Sequence, residues 1–151
     1  MDVVMQKATE LGVARITPLL TERSVVKLDQ ERMLKKVQQW QSIVIAACEQ
    51  SGRNTVPVVD HPLSLARFVA DTHSAAKLIL HPEAHKTWRA YSPLVPEITL
   101  LIGPEGGLSD AELALAFSHG FLPLSLGPRV LRTETAAISA LSVLQAVGGD
   151  L

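Results

Sequence analysis

The sequence has little of what marks several common protein classes. Cys48 is its only cysteine, so an internal disulfide framework is excluded. Aromatic residues make up only 4% of the 151 positions, so the core must be built from Leu, Val, Ile and Ala. No apolar run approaches the roughly 20 residues that a membrane-spanning helix needs. The amino terminus carries Asp2 and no basic stretch, which argues against a secretory signal. These absences predict a cytoplasmic protein with no membrane partner. A basic excess is missing too. The formal net charge is −1, whereas a free-standing nucleic-acid binder is usually basic. An RNA partner would then require a local basic patch or a separate RNA-binding domain. Repeats, low-complexity tracts and interdomain linkers are also absent from the pattern.

Apolar residues make up 47% of the chain, enough for the core of one domain. Helical and strand patterns alternate, which predicts an α/β fold with a mainly parallel sheet. Val3–Leu11 reads as a short helix stopped by Gly12. Arg15–Leu20 reads as a strand ending in a turn at Thr21–Ser24. Asp29 can cap a long helix that runs to Ser51 and stops at Gly52, with Met33, Val37, Trp40, Val44 and Ala47 as its apolar face. Val56–Val59 and Lys77–Leu80 read as strands, with a short helix over Leu63–Ala70 between them.

The last third is the most informative. Ile98–Ile102 is a continuous apolar run, as expected of a strand covered on both faces. Gly103-Pro104-Glu105-Gly106-Gly107 follows it at once. Ser109 and Glu112 then form an S-x-x-E capping box for a helix ending near His119-Gly120. Phe121–Leu126 reads as another strand, and 127–132 as a loop. Thr133 can cap a final helix, Glu134–Val147, that is apolar around nearly its whole circumference. Such a helix is buried. It is expected either to thread into the fold or to press against a second subunit.

Two strand-to-helix junctions carry the candidate chemistry. Glycines at 103, 106 and 107 allow backbone to approach a ligand, and ligands of open α/β sheets bind beyond the carboxyl ends of the strands. Neither the phosphate-binding G-x-x-x-x-G-K-[ST] loop nor the G-x-G-x-x-G dinucleotide fingerprint is present. The second junction, Leu126-Gly127-Pro128-Arg129-Val130-Leu131-Arg132-Thr133-Glu134-Thr135-Ala136, gathers two basic residues, an acid and two hydroxyls before an apolar helix. Capping explains Thr133 and Glu134, but not the arginines flanking Val130-Leu131. His81 and His85 are spaced for a metal, yet no zinc-type ligand set accompanies them, so no metal is expected.

Together, Gly103–Gly107 and Leu126–Ala136 resemble the paired signature of the RsmE-type 16S ribosomal RNA uridine methyltransferases, a family of the SPOUT superfamily. Lys7-Ala8-Thr9-Glu10-Leu11-Gly12, Thr17-Pro18-Leu19 and Glu49-Gln50-Ser51-Gly52-Arg53 match the same family in order along the chain. The resemblance implies a SPOUT-type fold: a mainly parallel sheet, helices on both faces and a C-terminal deep trefoil knot. It implies a homodimer and a bent S-adenosylmethionine cofactor. The cofactor would lie among Leu80, His81 and Pro82, then Ile102, Gly103, Pro104, Glu105, Gly106 and Gly107, then Leu126, Gly127, Val130, Leu131, Thr133 and Ala136. It further implies that 1–151 is the cofactor-binding, catalytic domain, with the first strand of the knotted domain and a barrel-like RNA-binding domain belonging before Met1.

The reaction so implied is methyl transfer to N3 of a uridine in 16S ribosomal RNA of the small subunit. Arg132 is the first candidate to stabilise charge developing on the uracil carbonyls, and Glu105 or Glu134 can accept the N3 proton. For RNA, Arg53, Arg129, Lys27 and Lys35 are candidates, against the alternative that these are solvated side chains. Trp40 and Trp88 can stack bases, although Trp40 lies on an apolar helix face. The competing readings are a ribose 2′-O-methyltransferase of the same superfamily and a knotted dimer that binds RNA or cofactor without turnover.

Overall fold

The computed structural model describes residues 1–24, 29–91 and 95–151. Lys27 therefore lies outside the described residues. The elements in chain order are α1 (Asp2–Glu10), β1 (Arg15–Ile16), β2 (Leu19–Leu20), α2 (Gln30–Ser51), β3 (Val58–Val59), β4 (Leu63–Ser64), α3 (Leu65–Asp71), β5 (Ala76–Leu80), a 3₁₀ turn (Trp88–Tyr91), β6 (Ile98–Leu101), α4 (Asp110–Ser118), β7 (Leu122–Leu124) and α5 (Thr133–Gly148).

All strand pairs among the described residues are parallel. β5 lies at the centre of a three-stranded sheet, between β6 and β7. β1 pairs with β3 and β2 with β4. The expected single strand over Arg15–Leu20 is thus two short pieces separated by Thr17-Pro18. Pro18 has no N–H to give a ladder and serves only as an acceptor, taking the Leu63 N–H on its carbonyl at 3.1 Å. Thr17 Oγ1 donates instead to Asp60 Oδ2 at 2.6 Å.

Side-chain alternation along β5 divides the core. Ile79 faces Leu65 and Val69 of α3, Ala116 of α4, and Leu101, Leu108 and Phe121. Leu78, one residue earlier, faces Leu124 and Leu144, with Trp88, Tyr91, Ile98 and Leu100 packed around them. Helices therefore cover both faces of the sheet, α3 and α4 on one and α5 on the other. Burial of a side chain such as Ile79 contributes about 1.5–3 kcal/mol. β6 is an edge strand, so Ile98, Thr99 and Leu100 are only half-buried, unlike the fully covered strand expected from its apolar run.

A third cluster joins α1, α2 and β3 through Met5, Val37, Trp40, Val44, Cys48 and Val59. The long helix has the expected ends. Asp29 accepts from the Arg32 N–H at 2.8 Å, and Gly52 closes the helix at φ +80°.

α5 ends at Gly148 with Gly149 as its cap, as expected, but differs from expectation at its start and in its burial. Arg132, not Thr133, occupies the cap position, and no side chain caps the helix. Its buried residues are Ala137, Ala140 and Leu144, a single stripe at helical spacing, while Val147 is 40% exposed. Burial all round is therefore not achieved within one chain. At the far end Gln145 Nε2 donates to the Leu11 carbonyl at 2.8 Å, tying α5 to the end of α1. A side chain at Gly12 would collide with the Gln145 amide, which explains that glycine together with its φ of +91°.

Candidate functional site

Because β5, β6 and β7 run parallel, their carboxyl ends deliver three loops to one edge of the sheet. Those loops enclose a cleft of about 390 Å³, within the usual size range of small-ligand sites.

The first loop leaves β5 at Leu80. His81 N–H donates to the Leu124 carbonyl at 3.3 Å, and His81 Nδ1 accepts the Glu83 N–H at 3.0 Å. An accepting Nδ1 leaves the ring proton of neutral His81 on Nε2. The loop continues to Lys86, whose carbonyl accepts from Ser125 N–H at 2.7 Å, so it is fastened to the third loop. Beyond it Tyr91 Oη donates to the Pro123 carbonyl, and burial pushes the Tyr91 phenol above its ordinary pKa.

The second loop leaves β6. Gly107 adopts φ +77° and its N–H donates to the Pro104 carbonyl at 2.8 Å, closing a tight turn. The capping box then starts α4: Ser109 Oγ accepts the Glu112 N–H at 3.2 Å, and Glu112 Oε1 accepts the Ser109 N–H at 3.0 Å. The buried Glu112 carboxylate also accepts the Glu22 N–H at 3.3 Å, which binds this junction to the turn after β2.

The third loop leaves β7 and passes through Gly127, at φ +104°. Thr133 Oγ1 reaches back to the Gly103 carbonyl at 3.5 Å. The hydroxyl expected to cap α5 is spent joining the second and third loops.

Leu80, His81, Pro82, Ile102, Gly103, Pro104, Glu105, Gly107, Leu126, Gly127, Val130, Leu131, Thr133 and Ala136 all line the cleft. Gly106 is the exception among the residues expected to meet a ligand. It lies outside the lining and against Arg23, whose Nη1 donates to the Gly106 carbonyl at 3.1 Å. Of the residues expected to act on a substrate, Glu105 lines the cleft, whereas Arg132 and Glu134 do not. Arg129, expected at RNA, lines it as well.

Two other expectations of RNA contact fall elsewhere. Arg53 is half-buried, and its Nη1 donates to the carbonyls of Thr9 at 2.7 Å and Val13 at 3.0 Å. It clasps the end of α1 through Nη1, so it is not simply a solvated arginine. Lys35 sits on the solvated face of α2 opposite Glu31, at 3.8 Å. Trp40 is buried in the α1–α2 core, and Trp88 is half-buried against Leu78, Leu124 and Leu144 with the Arg89 guanidinium 4.7 Å over its ring.

The cleft is also lined by Glu83, Leu108, Asp110 and Leu113, which the sequence pattern does not single out. The signal for Asp110 and Leu113 was available. Once Ser109 is the cap, they sit one turn apart on the first exposed face of α4. Charged lining groups are Glu83, Glu105, Asp110 and Arg129, a formal sum of −3 + 1 = −2. The cleft therefore complements a ligand bearing positive charge, with the attraction moderated by solvent.

A family model for an RNA methyltransferase domain matches residues 1–145. A ribosomal RNA small subunit methyltransferase E of Buchnera aphidicola is 34% identical over 99% of this chain, which covers 60% of the relative. A Synechocystis protein of the same name is 40% identical over 97% of this chain and 49% of its own length. Among solved structures, a Legionella pneumophila protein in complex with bound SAM superposes with a TM-score of 0.97 at 62% identity, over 100% of this chain and 62% of that one. A Neisseria gonorrhoeae ribosomal RNA small subunit methyltransferase E bound to S-adenosyl methionine gives 0.93 at 39% identity, again over 100% and 62%. The chain thus spans about three fifths or less of the length of these relatives.

Proposed function

The chain belongs to the family of RNA methyltransferase domains, and from that premise we propose that it binds S-adenosylmethionine and methylates N3 of a uridine in the 16S ribosomal RNA of the small subunit. The observation that carries this reading is the convergence of the three strand-end loops on one cleft of about 390 Å³. The cleft fits the cofactor in chemistry as well as size. Leu80, Ile102 and Leu131 offer apolar surface, Gly107 and Gly127 leave backbone uncovered, and the surplus of carboxylates favours a cation. When bound, S-adenosylmethionine supplies a methyl carbon activated by its positive sulfur.

The remaining work belongs to this chain's own residues. Thr133, tied to Gly103, holds two of the loops in register, so the site is organised before a ligand arrives. Glu105 accepts the uridine N3 proton, a role supported by its place in the lining, which Glu134 lacks. Arg129 lies on the cleft wall and stabilises negative charge spread over the uracil carbonyls. Arg132, exposed at the start of α5, meets the RNA at the rim.

The same reading includes a C-terminal trefoil knot, supported by the packing of Trp88 and Tyr91, from the segment between β5 and β6, with Leu144 of α5. It includes a homodimer formed through α5, supported by the exposed Val147 and the half-buried Leu141. Sedimentation at twice the chain mass is expected, and a stable monomer contradicts the dimer. Action on ribosomal RNA in the cytoplasm accords with the absence, among the described residues, of any helix long and apolar enough to cross a membrane.

Methyl transfer from labelled cofactor to small ribosomal subunits, followed by nucleoside analysis, tests the reaction. The expected product is N3-methyluridine, formed most readily at low salt because a net charge of −1 gives little attraction for phosphate. A 2′-O-methyl nucleoside as the product overturns the assignment of N3.

A further inference from the structure

Gly106 stands in the middle of the Gly103–Gly107 loop, yet none of the usual demands of a ligand site accounts for it. Its φ is not in the left-handed region. It does not line the cleft. What stands against it is Arg23, 83 residues away in sequence. A Cβ at position 106 would lie 3.4 Å from Arg23 Cβ and 3.7 Å from Arg23 Cδ, and Arg23 Nη1 already holds the Gly106 carbonyl at 3.1 Å. Arg23 therefore packs directly against this glycine, at ordinary van der Waals distance from where a Cβ would stand.

Arg23 belongs to a turn that is rigid in its own right. Thr21 and Ser24 close it through a 2.6 Å hydroxyl pair, and the Ser24 N–H donates to the Thr21 carbonyl at 3.2 Å. The neighbouring Glu22 N–H is held by the buried Glu112 carboxylate at 3.3 Å. The turn after β2 therefore grips the second loop at two points, the Gly106 carbonyl before α4 and Glu112 in its first turn. None of Glu22, Arg23, Gly106 and Glu112 lines the cleft itself.

We propose that Arg23 is a positioning residue: it braces the Gly103–Gly107 loop from behind and so sets the cleft wall against which the cofactor lies. This rests on the reading of the cleft as the cofactor site. Its chemistry is that of a guanidinium fixing a carbonyl. Fixing the Gly106 carbonyl orients the 106–107 peptide, and with it the Gly107 N–H and the Pro104–Gly107 turn that closes on the ligand side. Without the brace the loop keeps its turn but samples other orientations, and binding must then order it at a cost in affinity.

Cofactor titration and amide hydrogen exchange on the unmodified chain, Arg23→Ala, Arg23→Lys, Gly106→Val and the double variant Arg23→Ala/Gly106→Val test this. Arg23→Ala is expected to weaken cofactor affinity about five- to tenfold, the net size of one ordinary solvent-exposed hydrogen bond. It should raise the cofactor KM while leaving kcat at saturation intact, with an unchanged melting temperature. Arg23→Lys, which restores a cationic donor, should recover part of the loss. Gly106→Val, whose branched side chain presses on Arg23, should weaken binding as well, and the double variant should lose less than the two single losses combined, because both act through one contact. Exchange of the Gly107 amide should accelerate in Arg23→Ala even without cofactor, which keeps the test independent of binding. Unchanged exchange in Arg23→Ala, or fully additive losses in the double variant, overturns the brace. Failure of the unmodified chain to bind cofactor overturns instead the reading of the cleft.

Discussion

The α1–α2 end of the molecule and the β5–β7 end use their polar groups in opposite ways. Around α1 and α2 the groups answer one another. Arg53 clasps the carbonyls of Thr9 and Val13, Thr9 Oγ1 donates to Met5 at 2.7 Å, and Gln41 both donates to the Pro57 carbonyl and accepts the Val59 N–H. At the carboxyl ends of β5–β7, Glu83, Glu105, Asp110 and Arg129 line a cleft without forming an ion pair among the described residues. Hydrogen-bonding capacity consumed by the fold marks a structural residue even inside a family motif. Capacity left open around a concave surface marks a residue for a ligand.

The contrast breaks most severely where a core residue supports the cleft from below. Leu144 packs with Leu78 and Leu124 under the sheet, so Leu144→Asp places a carboxylate where nothing can pair it. The loss should exceed about 4 kcal/mol and leave no cooperative melt by circular dichroism. A native-like melt would mean that the face of α5 is not core but free surface. The next effect is smaller. Arg53→Ala removes the donor at the Val13 carbonyl and one of the two at the Thr9 carbonyl, which keeps the Gly12 N–H at 3.1 Å, and should lower the unfolding free energy in urea by about 1–3 kcal/mol, with cofactor affinity unchanged. Weaker RNA binding at unaltered stability would return Arg53 to the list of substrate contacts.

The smallest change in stability belongs to the cleft itself. Glu105→Gln removes an exposed charge and should shift stability by less than about 0.5 kcal/mol, while kcat falls on the order of a hundredfold. Retained kcat would remove Glu105 from proton transfer. Opposite responses of Arg53→Ala and Glu105→Gln to the two assays would sharpen the comparison between the two ends.

Much of the fold was legible because its signals are local. Asp29 and Gly52 bound α2, and Ser109 and Glu112 start α4, through bonds that reach only three or four residues along the chain. The three cleft loops were legible because each follows an apolar strand and because their order resembles one family. What escaped depends on distant partners. Pro18 splits a strand whose ladder is set by residues near Leu63. Thr133 abandons its cap for the Gly103 carbonyl, 30 residues away. Gly106 answers to Arg23, and Arg53 to carbonyls more than 40 residues before it or nearly so, at separations of 44 and 40. Periodicity carries no information about such pairs.

Calorimetric titration of S-adenosylmethionine into the unmodified chain and into Gly107→Val tests the central claim most directly. Gly107 lines the cleft at φ +77°, a conformation closed to a β-branched residue, so the substitution deforms the second loop. The account predicts saturable binding of one cofactor per chain and its loss in a folded Gly107→Val variant. No binding heat from the folded unmodified chain, or equal affinity in the two proteins, would contradict it.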